Sequence, residues 1–213
     1  MIRHNILVNP LPKSVEISGQ KYEINTDYRV GFRLEEVMRS SLPGETKLLK
    51  ILEAYYPVIP VNVQEAMNKA LWFYQCGDVQ QEKKDNKRER YRSMRQKNVV
   101  TYSFCQDASY LYAAFLEQYH IDLCDIEYMH WWKFCAMFES LSDDTQMSKI
   151  MYYRKVSTSG MPKEKRFFIN EMKKRYQLID DTSLTGRITL EQRNMRWRNY
   201  VKDRYEEQES GKN

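Results

Sequence analysis

Tyr110-Leu-Tyr-Ala-Ala-Phe115, His130-Trp-Trp-Lys-Phe134 and Ile150-Met-Tyr-Tyr-Arg154 lie within one stretch, Tyr102 to Arg154, whose reading decides the fold. Rings crowd this densely in a packed core or on an anchoring surface. Ala108, Leu111, Tyr112, Phe115 and Tyr119 recur at helical spacing, behind a capping-box pattern at Ser103-Phe-Cys-Gln106. Asp125 is placed to cap the next helix, where Trp131, Phe134, Cys135, Phe138 and Leu141 form one stripe and Tyr128 and Trp132 widen it. More than half of that helix's circumference is apolar, so it should be central, with neighbours on two sides. Asp143-Asp144 place negative charge at a third helix start, with Met147, Ile150 and Met151 inward. Gly160 breaks the chain, and Pro162 opens a helix reaching about Tyr176.

Toward the N-terminus the period changes. Val15-Glu-Ile17 and Tyr22-Glu-Ile24 alternate around Ser18-Gly19-Gln20 and predict a short β-hairpin, which needs helices to lie on. Thr26 or Asp27 caps a helix with Val30, Leu34, Val37 and Met38 on one face, and Pro43-Gly44 ends it. A second helix runs to about Tyr55 with Leu48, Leu49 and Leu52 inward; Pro57 and Pro60 bracket a rigid turn. A third carries Val63, Ala66, Met67, Ala70, Leu71 and Tyr74 on one stripe and stops at Gly77.

Between these halves, Asp78 to Asn98 is almost devoid of apolar residues. The expected organisation is therefore mainly α: residues 1–77 as a β-hairpin plus three helices, 78–101 as a basic linker or exposed helix, 102–179 as an aromatic-rich helical module, and 180–213 as an amphipathic tail. In the tail, Leu190, Trp197, Val201 and Tyr205 share a helical face.

The 213 residues are 42% hydrophobic, which suffices for a core, and 30% charged, which favours solubility. No apolar run approaches the ~20 residues that span a bilayer, and Met1 to Pro10 lacks the features of a signal peptide. No membrane association is expected, and the location expected is the cytoplasm. Cys76, Cys105, Cys124 and Cys135 sit in apolar helical patterns without a Cys-x-x-Cys knuckle, so reduced, buried thiols are expected. The net charge of +5 is local: Glu82 to Lys97 holds eight basic residues against three acidic ones, and the rest of the chain is balanced.

Little in the sequence points to catalysis. No glycine cluster forms a phosphate loop, and no Ser or Cys occupies a nucleophile elbow. Asp143-Asp144, Asp180-Asp181 and Glu206-Glu207 are adjacent pairs, which diverge on a helix and suit capping or solvation better than a shared proton. His120 with Cys124 and His130 with Cys135 are four and five residues apart, within reach of a shared metal, but they lack a tight knuckle. The expectation is no catalytic, metal or cofactor site. For the basic run, including Lys83, Lys84, Lys87 and Arg88, three readings stand: a solvated linker, a contact for an acidic protein, and phosphate binding, the least favoured because only Tyr91 could stack. Trp131 and Trp132 project ~100° apart, so one of them, with Tyr128 or Trp197, is a candidate anchor for a partner helix.

The chain resembles the phage gene-product-fifteen family of tailed phages and prophages of Gram-positive bacteria. The resemblance is carried by Tyr22-Glu-Ile-Asn-Thr-Asp-Tyr-Arg29, by Leu71-Trp-Phe-Tyr74 with Cys76-Gly77, by Tyr110-Leu-Tyr-Ala-Ala-Phe115 with Gln118-Tyr-His-Ile-Asp-Leu123, and by His130-Trp-Trp-Lys-Phe134 through Lys149-Ile-Met-Tyr-Tyr-Arg154. These blocks span about Pro10 to Tyr176. His120 stands where the family pattern leads one to expect glycine, and the tail beyond Asp180 carries little of the resemblance. Family members usually lie between the major tail protein and the tape measure protein in the tail gene cluster. The resemblance thus implies a non-enzymatic tail assembly chaperone in the host cell cytoplasm. Its partners would be the tape measure protein, the major tail (tube) protein and copies of itself. A minor structural component retained in the virion is the runner-up, and a basic nucleic-acid-binding regulator the third reading.

Overall fold

A computed structural model describes residues 6–77 and 100–179. Strands β1 (Ser14–Ile17) and β2 (Gln20–Glu23) pair antiparallel, with Val15 opposite Tyr22 and Ile17 opposite Gln20. Ser18 and Gly19 both have positive φ, 52° and 77°, the backbone a two-residue hairpin turn requires. Val15 and Ile17 are buried, and β1 packs on the third helix. The turn is tied there as well: Glu65 Oε2 accepts from the Ser18 N–H at 2.9 Å and from its hydroxyl at 3.0 Å.

Seven helices follow among the described residues: α1 (Tyr28–Arg39), α2 (Gly44–Tyr55), α3 (Val63–Tyr74), α4 (Ala108–Tyr119), α5 (Trp131–Glu139), α6 (Gln146–Lys155) and α7 (Lys163–Arg175). The fold is mainly α with one small hairpin. Helix α1 packs on α2 and α5, α2 on α3, α4 on α6, and α6 on α7. None of these helices is long and apolar enough to cross a membrane.

Asp27 caps α1, its carboxylate accepting from the Arg29 N–H at 2.9 Å. The start of α5 lies beside it. The Trp131 N–H donates to Thr26 O at 2.8 Å and the Tyr28 N–H to Met129 O at 2.9 Å, so two helix N-termini are stitched by an antiparallel bridge. Asp125 does not cap α5. His130 does, its Nδ1 accepting from the Trp132 N–H at 3.1 Å while Nε2 faces Pro12 O at 3.1 Å. With Nδ1 as acceptor, Nε2 carries the donated proton. The capping box before α4 is also modified. Asp107, not Gln106, reaches back to the Ser103 N–H, at 2.9 Å, and α4 begins at Ala108.

The core forms around α5. Phe134 is stacked on Phe115 with ring centroids 5.1 Å apart and on Tyr28 at 5.4 Å. Trp131 stacks on Tyr74 at 5.2 Å, and Trp132 meets Trp72 and Phe73, both at 5.6 Å. One buried cluster therefore joins Val15, Tyr28, Leu34, Leu52 and Phe73 to Phe104, Phe115, Trp131, Phe134 and Met147. The stretches 1–77 and 102–179 contribute to one core, and the described residues up to Leu178 form a single compact unit. The expected division into two helical modules gives way here because each half supplies aromatic faces that only the other covers.

Some inward assignments change. Leu49 is half exposed, and Ile51 takes its place in the core. On α3, Leu71 lies at the surface and Phe73 is buried. Cys105 and Cys124 are exposed, and Cys76 and Cys135 are partly buried, so the expectation of four buried thiols holds for none in full.

Candidate partner-binding surface

Trp131 and Trp132 are 3% and 2% exposed, so neither is a surface anchor. Both indole N–H groups are satisfied inside: Trp131 Nε1 donates to Tyr74 O at 2.9 Å and Trp132 Nε1 to Phe73 O at 2.8 Å. The two rings clamp the C-terminal end of α3 from α5, which uses the ~100° between them to cover two neighbours. Tyr128 is half exposed, with its hydroxyl 2.7 Å from Thr26 Oγ1. Lys83, Lys84, Lys87, Arg88 and Trp197 lie outside the described residues.

Among the described residues, no group of three His, Cys, Asp or Glu side chains is placed to hold an ion. His120 ends α4 in the left-handed region at φ 55°, and His130 is engaged as a cap.

A surface depression lies between α1 and α3 instead. Its apolar end is lined by Leu34, Met38, Ile51, Ala70, Leu71 and Tyr74. Met38 and Tyr74 also line an adjoining open cleft of about 340 Å³, with Glu35, Arg39, Val100, Thr101 and Tyr102. The spacing explains the arrangement. Residues 34, 35, 38 and 39 occupy successive turns on one side of α1, and 70, 71 and 74 do the same on α3, giving two walls with Ile51 between them. Met38 and Leu71 are each more than one third exposed.

The polar end is built on a buried acid. Glu35 Oε2 accepts from the Phe104 N–H at 2.7 Å, and Oε1 faces Arg39 Nη2 at 2.8 Å in an ion pair without an aligned hydrogen bond. Arg39 Nη2 also donates to Tyr102 O at 2.7 Å. Burial raises the Glu35 carboxyl above its ordinary range, against the lowering effects of the Phe104 N–H and Arg39. Burial likewise raises the phenols of Tyr74 and Tyr102. This end of the depression therefore presents neutral phenols and a compensated carboxyl, without a nucleophile and base in register.

Sequence reasoning missed Glu35, Arg39 and Tyr102 as a group. A signal existed: Glu35 and Arg39 are an i, i+4 pair bordering the apolar stripe of α1, a position where an acid is partly buried.

No curated protein and no solved structure matches this chain. A family model described as Bacteriophage Gp15 protein matches residues 7–178, the same span as the compact unit to within a few residues of its start. The interleaved blocks that carry the earlier resemblance thus lie on the elements that build one core, and the chain belongs to the bacteriophage Gp15 protein family.

Proposed function

We propose that this phage protein is a non-enzymatic tail assembly chaperone that holds the tape measure protein soluble in the host cell cytoplasm until tube subunits polymerise around it. Membership of the Gp15 family supports a phage role. The observation that carries the reading further is the depression between α1 and α3, where Met38 and Leu71 leave apolar surface open beside Tyr74. A helical tape measure exposes apolar faces before assembly and would aggregate. The apolar end is shallow, about 10 Å³, so such a face would lie across the exposed Met38 and Leu71 rather than sink between the helices. Displacement by the major tail protein calls for modest affinity at each site, so coverage would come from many copies along the tape measure, with contacts between copies assisting.

Co-expression tests this directly. The tape measure protein should stay soluble and co-purify with this chain, and Met38→Glu or Leu71→Glu should abolish the complex while leaving the fold intact. No complex with the wild-type chain would sink the proposal. Mass spectrometry of purified virions provides the second arm: abundant chain in mature particles would favour a structural component of the tail instead.

A further inference from the structure

We infer that the outer face of α7, with the adjoining rings of α6, is a docking surface for an acidic amphipathic helix of another protein. The inference is independent of the groove between α1 and α3. Helix α7, Lys-Glu-Lys-Arg-Phe-Phe-Ile-Asn-Glu-Met-Lys-Lys-Arg, buries only Ile169. It carries six basic side chains and two acidic ones, Glu164 and Glu171. Lys173, Lys174 and Arg175 in the last turn suit the helix dipole. Lys163, Lys165 and Arg166 do not: they put three cations in the first turn, where the dipole opposes positive charge. None of these three is in an ion pair among the described residues. Glu164 in the same turn offsets one of the three, and the net positive charge left there, with no ion pair inside the described fold, points to compensation from outside it.

The apolar half of the signal lies between those charges. Phe167 is 69% exposed and Phe168 49%. Lys163, four residues before Phe167, and Lys174, seven after it, share its face with Glu164 and Glu171, and Arg166 and Lys173 lie at its margin. Phe168 continues into a line of surface rings. It meets Tyr153 edge-on at 6.1 Å, and Tyr153 contacts the half-exposed Tyr152 at 5.9 Å and stacks on Tyr176 at 6.3 Å. The excess of cations at the margin of these exposed rings, where Lys163, Arg166, Lys173 and Lys174 lie, fits apolar residues flanked by carboxylates. A partner helix with apolar positions at i, i+3 and i+4 and Glu or Asp on either side has that complementarity.

The test uses the full chain and three labelled probes in fluorescence anisotropy: a designed Glu/Leu amphipathic helix, its Lys/Leu counterpart, and a single-stranded oligonucleotide. The Glu/Leu helix should bind best. The separate basic run from Lys83 to Lys97 also attracts anions, so the assignment rests on variants of α7. Phe167→Ser, and separately Lys163→Glu with Arg166→Glu, should each weaken Glu/Leu binding by about tenfold or more, which is ~1.4 kcal/mol, with an unchanged circular dichroism spectrum. Equal binding of the Lys/Leu helix, absence of Glu/Leu binding, or indifference to both variants overturns the proposal. Tighter oligonucleotide binding that Phe167→Ser removes also overturns it, in favour of a nucleic-acid surface.

Discussion

Gly31 occupies the middle of α1, where glycine costs helix stability, because the Trp131 ring fills the space of its missing side chain. A Cβ at Gly31 would lie 2.3 Å from one ring carbon and 2.4 Å from another. Trp131 cannot yield, being held by its bond to Tyr74 O and its stack on that ring. Gly31→Ala should therefore destabilise the protein by about 1–3 kcal/mol through overpacking, after any gain in helix propensity. In a Trp131→Val background the same change should be neutral or stabilising, and urea denaturation of the four variants measures the coupling. Equal effects in both backgrounds would refute the clash. Glu35 makes a second residue-scale prediction. Its folded pKa is raised by burial, so its contribution to stability is fully present below the unfolded carboxylate pKa and is lost as pH rises through the folded pKa. Glu35→Gln keeps an acceptor for the Phe104 N–H and cannot ionise. Its stability should fall less than the wild type's across that window, as read from denaturation midpoints against pH; parallel curves would exclude the assignment.

At the scale of elements, helix identity was legible and helix starts were less so. The apolar periods placed the first six helices and Gly160 with Pro162 the seventh, and the stops at Pro43-Gly44 and Gly77 follow from backbone chemistry alone. Even at Gly77 the chain does something extra: Cys76 is also left-handed, at φ 56°, and the N–H groups of Cys76 and Gly77 close the helix onto Phe73 O and Trp72 O. The start of α5 was misplaced because its cap is an imidazole fixed by Pro12, more than a hundred residues away, and no local pattern encodes that. The candidate site was less legible than the fold. Tryptophans suggest anchors in a sequence, but whether an indole is buried depends on which carbonyls meet it. The aromatic motif ending at Arg154 has a tertiary role of the same kind. Arg154 forms a two-pronged ion pair with Asp107, at 2.6 and 2.8 Å, and also donates to Thr101 O and Tyr176 O. It fastens α6 to the segment before α4 and to the end of α7. Both side chains are buried, so Arg154→Met leaves an unpaired buried carboxylate and should cost roughly 3–5 kcal/mol. Adding Asp107→Leu should recover part of the loss. A cost below about 1 kcal/mol for the single variant in a urea titration would show that the pair is replaceable by water.

For the molecule as a whole, the composition break at 78–98 suggested two modules, whereas the core unites the segments on either side of it. The reason lies in which surfaces each segment could cover alone. Helices α1 and α3 direct Tyr28, Gly31, Phe73 and Tyr74 at α5, and the backbone of Thr26 and Tyr28 bonds to Met129 and Trp131 across the same boundary. An isolated segment 1–77 would expose those aromatic faces and leave the Thr26 and Tyr28 backbone groups without their partners. It should show no cooperative thermal transition and should be digested rapidly by protease. A chain ended after Leu178 retains every one of these contacts and should melt in a single transition. Cooperative melting of 1–77 at the temperature of the longer chain would restore two modules and would make α5 a docked neighbour of the N-terminal half. Failure of 1–77 to fold would mean that the α1–α3 depression exists only after α5 is in place. A partner that reads this depression would then bind only the completed fold, so a chaperone built this way would be silent until its own folding was finished.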